Sequence, residues 1–155
     1  MLEIERKFLV ASDDFKRNAT RHFNIVQGFL STHPERTVRV RINDTCGYIT
    51  VKGLSSDSGM SRFEWEKDIA IDEAKDLLLL CEQPLLEKVR YEIPVGDLLF
   101  EVDEFKGLNE GLIIAEVELT RESDSFDRPD WLGNEVTGRI KYYNSQLVKN
   151  PFKFW

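Results

Sequence analysis

Charged side chains recur at every second position through most of this sequence, and a period of two commits the chain to β-strands whose two faces differ in kind. In Leu2–Val10, Glu3, Glu5 and Lys7 share one face while Leu2, Ile4 and Phe8 take the other, with Arg6 as the exception. The pattern returns down the chain. Arg39 and Arg41 oppose Val38, Val40 and Ile42; Thr50 and Lys52 oppose Ile49 and Val51; Arg62, Glu64 and Glu66 oppose Phe63 and Trp65. Lys88 and Arg90 then oppose Val89 and Tyr91, Glu101 and Asp103 oppose Phe100 and Val102, and Glu116 and Glu118 oppose Val117 and Leu119. One such strand is what any antiparallel sheet with a solvated face produces. Repeated in Glu, Lys and Arg rather than Ser, Thr or Gln, it needs another account.

Strand-like runs are predicted at Leu2–Val10, Asn24–Leu30, Thr37–Ile42, Tyr48–Lys52, Arg62–Ile71, Glu87–Ile93, Leu99–Phe105 and Ile113–Leu119. Turn signals such as Asn43-Asp44 and Gly96-Asp97 separate them by short connections, which favours antiparallel pairing. Gly53–Ser61 reads as one mobile loop. Helices are few: one capped by Ser12 and running through Phe15 to Arg21, one from Asp72 through Gln83 before Pro84, and one over Tyr142–Lys149 before Pro151. Four consecutive leucines, Leu77 to Leu80, predict that the middle helix packs on more than one side. The expected class is α+β and strand-dominated, one domain over residues 1–155.

If the apolar faces pack outward against the helices, the charged faces look inward. A sheet of about eight strands can close on itself, which removes its edges and leaves a lumen wide enough for side chains and a small ligand. Charges enclosed in this way are costly unless they pair, bind metal or bind an ionic ligand.

The composition narrows the ligand. With 28 acids against 21 bases the net charge is -7, the wrong sign for a general nucleic-acid binder. Three charges in the first six residues exclude a signal-peptide core, and the longest apolar run is Leu77–Cys81, so the chain is expected in the cytoplasm and off the membrane. Cys46, Cys81, His22 and His33 lack zinc-ligand spacing. No Walker-type, dinucleotide-type or serine-hydrolase motif is present. Carboxylates without His or Cys beside them suit a hard divalent cation, Mg²⁺ or Mn²⁺, whereas Arg and Lys grip phosphate oxygens. Acids for metal together with bases for phosphate point to a nucleotide or polyphosphate site.

The residues also carry a resemblance. Glu3-Ile4-Glu5-Arg6-Lys7 is similar to the E-x-E-x-K signature of the CYTH family, the triphosphate tunnel metalloenzymes. The likeness continues in order through Gln27-Gly28-Phe29-Leu30, Arg39-Val40-Arg41, Thr50-Val51-Lys52-Gly53, Arg62-Phe63-Glu64-Trp65-Glu66, Lys88-Val89-Arg90-Tyr91, Glu101-Val102-Asp103-Glu104-Phe105, Glu116-Val117-Glu118-Leu119 and Asn134-Glu135-Val136-Thr137. It implies a closed eight-stranded antiparallel β tunnel with helices outside and a triphosphate within. By resemblance Glu3, Glu5, Asp103, Glu116 and Glu118 are the metal ligands, and Lys7, Arg39, Arg41, Lys52, Lys88 and Arg90, with Arg62, hold the triphosphate. Lys52, Glu5 and Glu118 take the catalytic roles; Glu64, Glu66 and Glu101 line the tunnel. The resemblance also gives Thr137 and the Tyr142–Leu147 segment the closing of one tunnel end, chiefly by packing.

One position departs from the family. Short members often carry Tyr after the Gln-Gly pair, as a partner of the tunnel lysine; here it is Phe29, without a hydroxyl. A Tyr–Lys dyad cannot operate as written, which implies slower hydrolysis or a shifted substrate choice. The expected activity is a metal-dependent triphosphatase acting on inorganic or organic triphosphate. A class IV-type adenylate cyclase and a non-catalytic polyphosphate- or nucleotide-binding module remain as alternatives. An open rim with apolar outer strands leaves room for a homodimer, which nothing in the sequence requires. The proposed lining holds eight acids and seven bases, so -6 of the net charge lies outside it.

Overall fold

The computed structural model describes residues 1–155 and places nine strands in one sheet. In chain order they are β1 (Leu2–Val10), β2 (Arg21–Ser31), β3 (Thr37–Asn43), β4 (Cys46–Lys52), β5 (Ser61–Ile69), β6 (Leu86–Val95), β7 (Leu98–Phe105), β8 (Ile113–Glu118) and β9 (Leu132–Glu135). Three α-helices accompany them: α1 (Phe15–Asn18), α2 (Ile71–Leu80) and α3 (Asn144–Lys149). Neighbours run β5-β4-β3-β2-β6-β7-β8-β1, and β1 pairs back onto β5, so eight antiparallel strands form the closed barrel that the alternation implied. No helix is long and apolar enough to cross a membrane.

Closure is divided along β1. Its first residues pair with β5, Leu2 opposite Phe63 and Glu3 opposite Arg62, and then the two strands part. Beyond that point the Val136 N–H donates to the Lys7 carbonyl at 2.8 Å, the Lys7 N–H donates to Thr137 Oγ1 at 2.9 Å, and β9 pairs with the end of β1. Alternation could not reveal β9, because four residues including Gly133 and Asn134 carry no period. It exists because β1 outruns β5 and leaves backbone groups to satisfy. At the parting, Gly59 and Gly138 touch, both at positive φ; a Cβ on Gly59 would lie 2.3 Å from the Gly138 Cα. Ser58 and Ser61 hydroxyls donate to Glu122 Oε1 at 3.1 and 2.9 Å, and the Glu5 N–H donates to the Met60 carbonyl. The end of the Gly53–Ser61 loop is thus held by Glu122 on one side and by β1 on the other, while Leu54 near its start is exposed.

The apolar faces point outward, as the alternation required. One cluster joins Phe8, Phe100, Val102 and Val117 of the barrel to Phe15, Trp131 and Leu132 outside it. A second packs Ala74, Leu78 and Cys81 on Val40, with Leu77 at its edge. Leu79 and Leu80 are 81% and 74% exposed, so α2 presents one stripe to the barrel, against the expectation from its leucine run. The third cluster closes one end of the tunnel: Phe29, Leu86, Phe105 and Ile114 meet Leu147 and Val148 of α3.

All three helices are shorter than expected, with α2 ending at Leu80 before Gln83 and α3 beginning at Asn144 after Tyr142. α1 spans only four residues after Asp14, without a side-chain cap, because β2 begins at Arg21 and the Thr20 N–H already donates to the Glu92 carbonyl. α2 starts at Ile71 with Ala70 at its N-cap; Asp72, expected as the cap, sits instead in the first turn with Glu73, where negative charge suits the helix dipole.

Candidate active site

Cross-strand register brings the charged faces together. Lys7 lies opposite Glu116, Glu5 opposite Glu118, Arg90 opposite Asp103, and Lys52 opposite Glu64. Lys7, Arg39, Lys52, Arg62, Lys88 and Arg90 line one cavity with only two carboxylates, Glu5 and Glu116. Phe29, Tyr143 and Asn144 complete much of its wall. Glu3 lines an adjoining space with Glu5, Lys7 and Arg62. Arg41, Glu64, Glu66, Glu101, Asp103 and Glu118 do not line the main cavity.

Those outer groups hold the cations in place. Asp103, 1% exposed, accepts from Arg90 Nε at 2.7 Å and Nη2 at 2.8 Å, and from Lys88 Nζ at 2.7 Å. Glu101 accepts from Arg90 Nη1 at 2.9 Å. On the opposite wall Glu66 Oε2 accepts from Thr50 Oγ1 at 2.7 Å and from Arg39 and Arg41 at 3.4 and 3.3 Å. Lys52 Nζ reaches Glu3 Oε2 at 2.9 Å and Glu64 at 3.0 Å, and Lys7 Nζ is 3.3 Å from Glu116. Arg62 Nε stands 3.6 Å from Glu3.

The arginine wall is left wanting an anion. Arg39 Nε and Arg41 Nε are buried donors without a partner. Burial, then Arg39 and Arg90, push the Arg41 guanidinium down to about 10. Burial lowers Lys88 to about 8 against the pull of Asp103, so it stays cationic at neutral pH. Each cavity cation has a carboxylate partner, but the two unpaired guanidinium donors on this wall still want an acceptor, which a phosphate oxygen would supply.

The acids divide into two groups. Burial alone would raise Glu116, but Lys7, Arg90 and Lys88 hold it well below the carboxylate range. Asp103 is likewise held low, by Arg90 and Lys88 against burial. Glu5 goes the other way: burial, then Glu116, push it up to about 8. Glu118 is also raised, by burial and then by Glu3, Glu64 and Glu101. Around Glu5 and Glu118 negative charge is in excess, and these hard oxygen donors fit a divalent cation. No three His, Cys, Asp or Glu side chains are already gathered as a metal cage, since Glu3 is engaged by Lys52.

A family model, the CYTH domain, matches residues 1–148. The chain belongs to the CYTH family. An inorganic triphosphatase of Acetivibrio thermocellus is 48% identical over 152 residues, covering 97% of this chain and 96% of that protein. Another from Nitrosomonas europaea is 37% identical over 153 residues, covering 96% and 97%. Among solved structures, a crystal structure of an inorganic triphosphatase aligns with a TM-score of 0.67 at 34% identity, covering 94% of this chain and 97% of that one.

The resemblance gave the Tyr142–Leu147 segment a packing role at one tunnel end, but its Tyr143, Asn144 and Ser145 line the polar cavity, as does Thr37, which the sequence did not single out. Tyr143 faces Lys7 and Arg62, its ring centroid 5.3 Å from Lys7 Nζ and 5.8 Å from Arg62 Cζ. Asn144 accepts from Lys88 Nζ at 2.9 Å, and Thr37 lines the same wall. Tyr143 and Asn144 sit at the start of α3, where no strand alternation exists to mark them.

Proposed function

We propose that this chain is a metal-dependent triphosphatase that hydrolyses inorganic triphosphate in the charged β tunnel. The observation that carries the reading is the set of six cations facing two carboxylates in a narrow cavity, with two buried arginine donors unpartnered beside it. Two relatives named inorganic triphosphatase support the substrate. Arg39, Lys52, Lys88, Arg90, Lys7 and Arg62, which line the cavity, would hold the phosphate oxygens, with Arg41 behind Arg39 on the same wall. Phosphoryl transfer demands little covalent chemistry, so positioning and charge neutralisation carry most of the rate.

Glu3, Glu5 and Glu118 would hold Mg²⁺ or Mn²⁺, which when bound neutralises oxygen charge and makes water more acidic. Asp103 and Glu116, already held by cations, orient Arg90, Lys88 and Lys7 toward the substrate. Lys52 would exchange Glu3 and Glu64 for the substrate oxygens, and Glu5, which lines the cavity, would stand beside them with Glu118 opposite it on the neighbouring strand.

Incubation with triphosphate should release phosphate only when Mg²⁺ or Mn²⁺ is added, and EDTA should stop it. Binding without product would leave a polyphosphate-binding module, and cyclic AMP with pyrophosphate from ATP would make the protein a cyclase; either result overturns the proposal. Phe29 is buried in the wall of the cavity that Lys52 also lines, and it has no hydroxyl to assist proton movement. Phe29→Tyr is expected to raise kcat for triphosphate by about tenfold, toward the low end of positioned acid–base assistance. An unchanged rate and substrate preference would clear Phe29 of any part in setting them.

A further inference from the structure

Asn144 opens α3 and borders the tunnel cavity beside Lys7 and Lys88. Its Oδ1 accepts two hydrogen bonds, from Lys88 Nζ at 2.9 Å and from Gln27 Nε2 at 3.0 Å. An ammonium group has only donors, so the amide must turn its oxygen toward Lys88. The orientation of the side chain is thereby decided by chemistry. Its Nδ2 end, carrying two N–H donors, takes no partner from the protein and is not sealed among the buried orphan atoms. Leu147 and Val148 anchor the helix among Phe29, Phe105 and Ile114, so the side chain is fixed from behind.

We propose that Asn144 is a substrate-contacting residue whose Nδ2 amide donates to a phosphate oxygen at the closed end of the tunnel, beside Lys88. The assignment rests on the triphosphatase reading above. A neutral donor there adds a directed hydrogen bond to a charged oxygen without adding another cation to a crowded wall. The competing role is purely supportive, in which Asn144 only steadies Lys88.

Asn144→Asp separates the two. Aspartate has the same shape and still accepts from Lys88 and Gln27, but it replaces the N–H donors with an anionic oxygen. A contact role predicts that Asn144→Asp keeps the wild-type melting temperature or exceeds it. Its kcat/KM for triphosphate then falls about 100-fold, mostly through KM, while Asn144→Ala falls about tenfold. If Asn144→Asp stays within threefold of wild type while Asn144→Ala loses activity, the residue only steadies Lys88 and the assignment is overturned. Calorimetric titration of each protein with inorganic triphosphate in EDTA repeats the comparison without turnover. A wild type that binds but does not hydrolyse overturns the triphosphatase reading alone, and the same ranking of variants by Kd still supports the contact. A wild type that does neither overturns both.

Discussion

Replacing Asp103 by Asn is expected to lower the melting temperature by about 10 °C, and added triphosphate is expected to restore part of the loss. Asp103 is 1% exposed and carries three charged hydrogen bonds, two from Arg90 and one from Lys88. Removing its charge takes the carboxylate partner from Lys88 and leaves Arg90 with Glu101 alone in its fork, and breaking a buried pair in this way typically costs about 3–5 kcal/mol. In a domain of this size each kcal/mol moves the melting temperature by about 2–4 °C. The sign with pH follows from the direction of the shift. Asp103 is held below its ordinary value, so its contribution is present above an unfolded value of 3.8 and is lost as pH falls through the folded one. The gap between variant and wild type should therefore be full at pH 7 and shrink in strong acid. Scanning calorimetry across pH, with and without triphosphate, checks both parts. A variant melting within 2 °C of wild type at pH 7 would remove Asp103 as the organiser of this wall.

That experiment bears on why a mixed-charge lining is retained at all. Pairing acids against bases inside a barrel gains little stability, because desolvation offsets most of the attraction. What it does is hold long, flexible cations in one geometry before a substrate arrives. Arg90 illustrates the arrangement: Asp103 and Glu101 occupy its fork, and Glu116 stands 3.7 Å from Nη2.

The barrel and most of the lining were legible in the sequence because a strand has one degree of freedom to read, the face. Once Glu3, Glu5 and Lys7 share a face with apolar partners opposite, the register of neighbouring strands does the rest. What could not be read depends on where strands end. The seam where β1 leaves β5 and accepts β9 follows from a difference in strand length, to which periodicity is blind. The exposure of Leu79 and Leu80 follows from which stripe of α2 meets Val40, a matter of helix placement. Asn144 and Tyr143 lie in the segment that the resemblance placed at a tunnel end for packing, but their entry into the cavity from a helix start is marked by no periodicity. The division of the acids was equally hidden. Asp103 and Glu118 read alike as alternating carboxylates, yet one is held by two cations and the other faces three carboxylates.

Glu5→Gln should trade activity for stability. Hydrolysis of triphosphate is expected to fall at least 100-fold, since Glu5 stands among the donors proposed for the divalent cation and lines the phosphate cavity. The metal-free fold should gain. In the wild type the Glu5 carboxyl is raised from 4.5 to about 8, by burial first and by Glu116 second. Between those values the native state holds a proton that the unfolded chain has released, so rising pH favours unfolding. The penalty accumulates until about pH 8 and then levels off. Glutamine carries no such proton, so the variant's advantage should be near zero at pH 5 and grow toward pH 8. Because Glu5 is only partly enclosed, solvent screening reduces the effect to about 2 kcal/mol. Melting curves in EDTA from pH 5 to 9 measure it beside the rate assay. A stability difference that does not change with pH would place the excess negative charge elsewhere than Glu5. Retained hydrolysis would take Glu5 out of the machinery, whatever its effect on the fold.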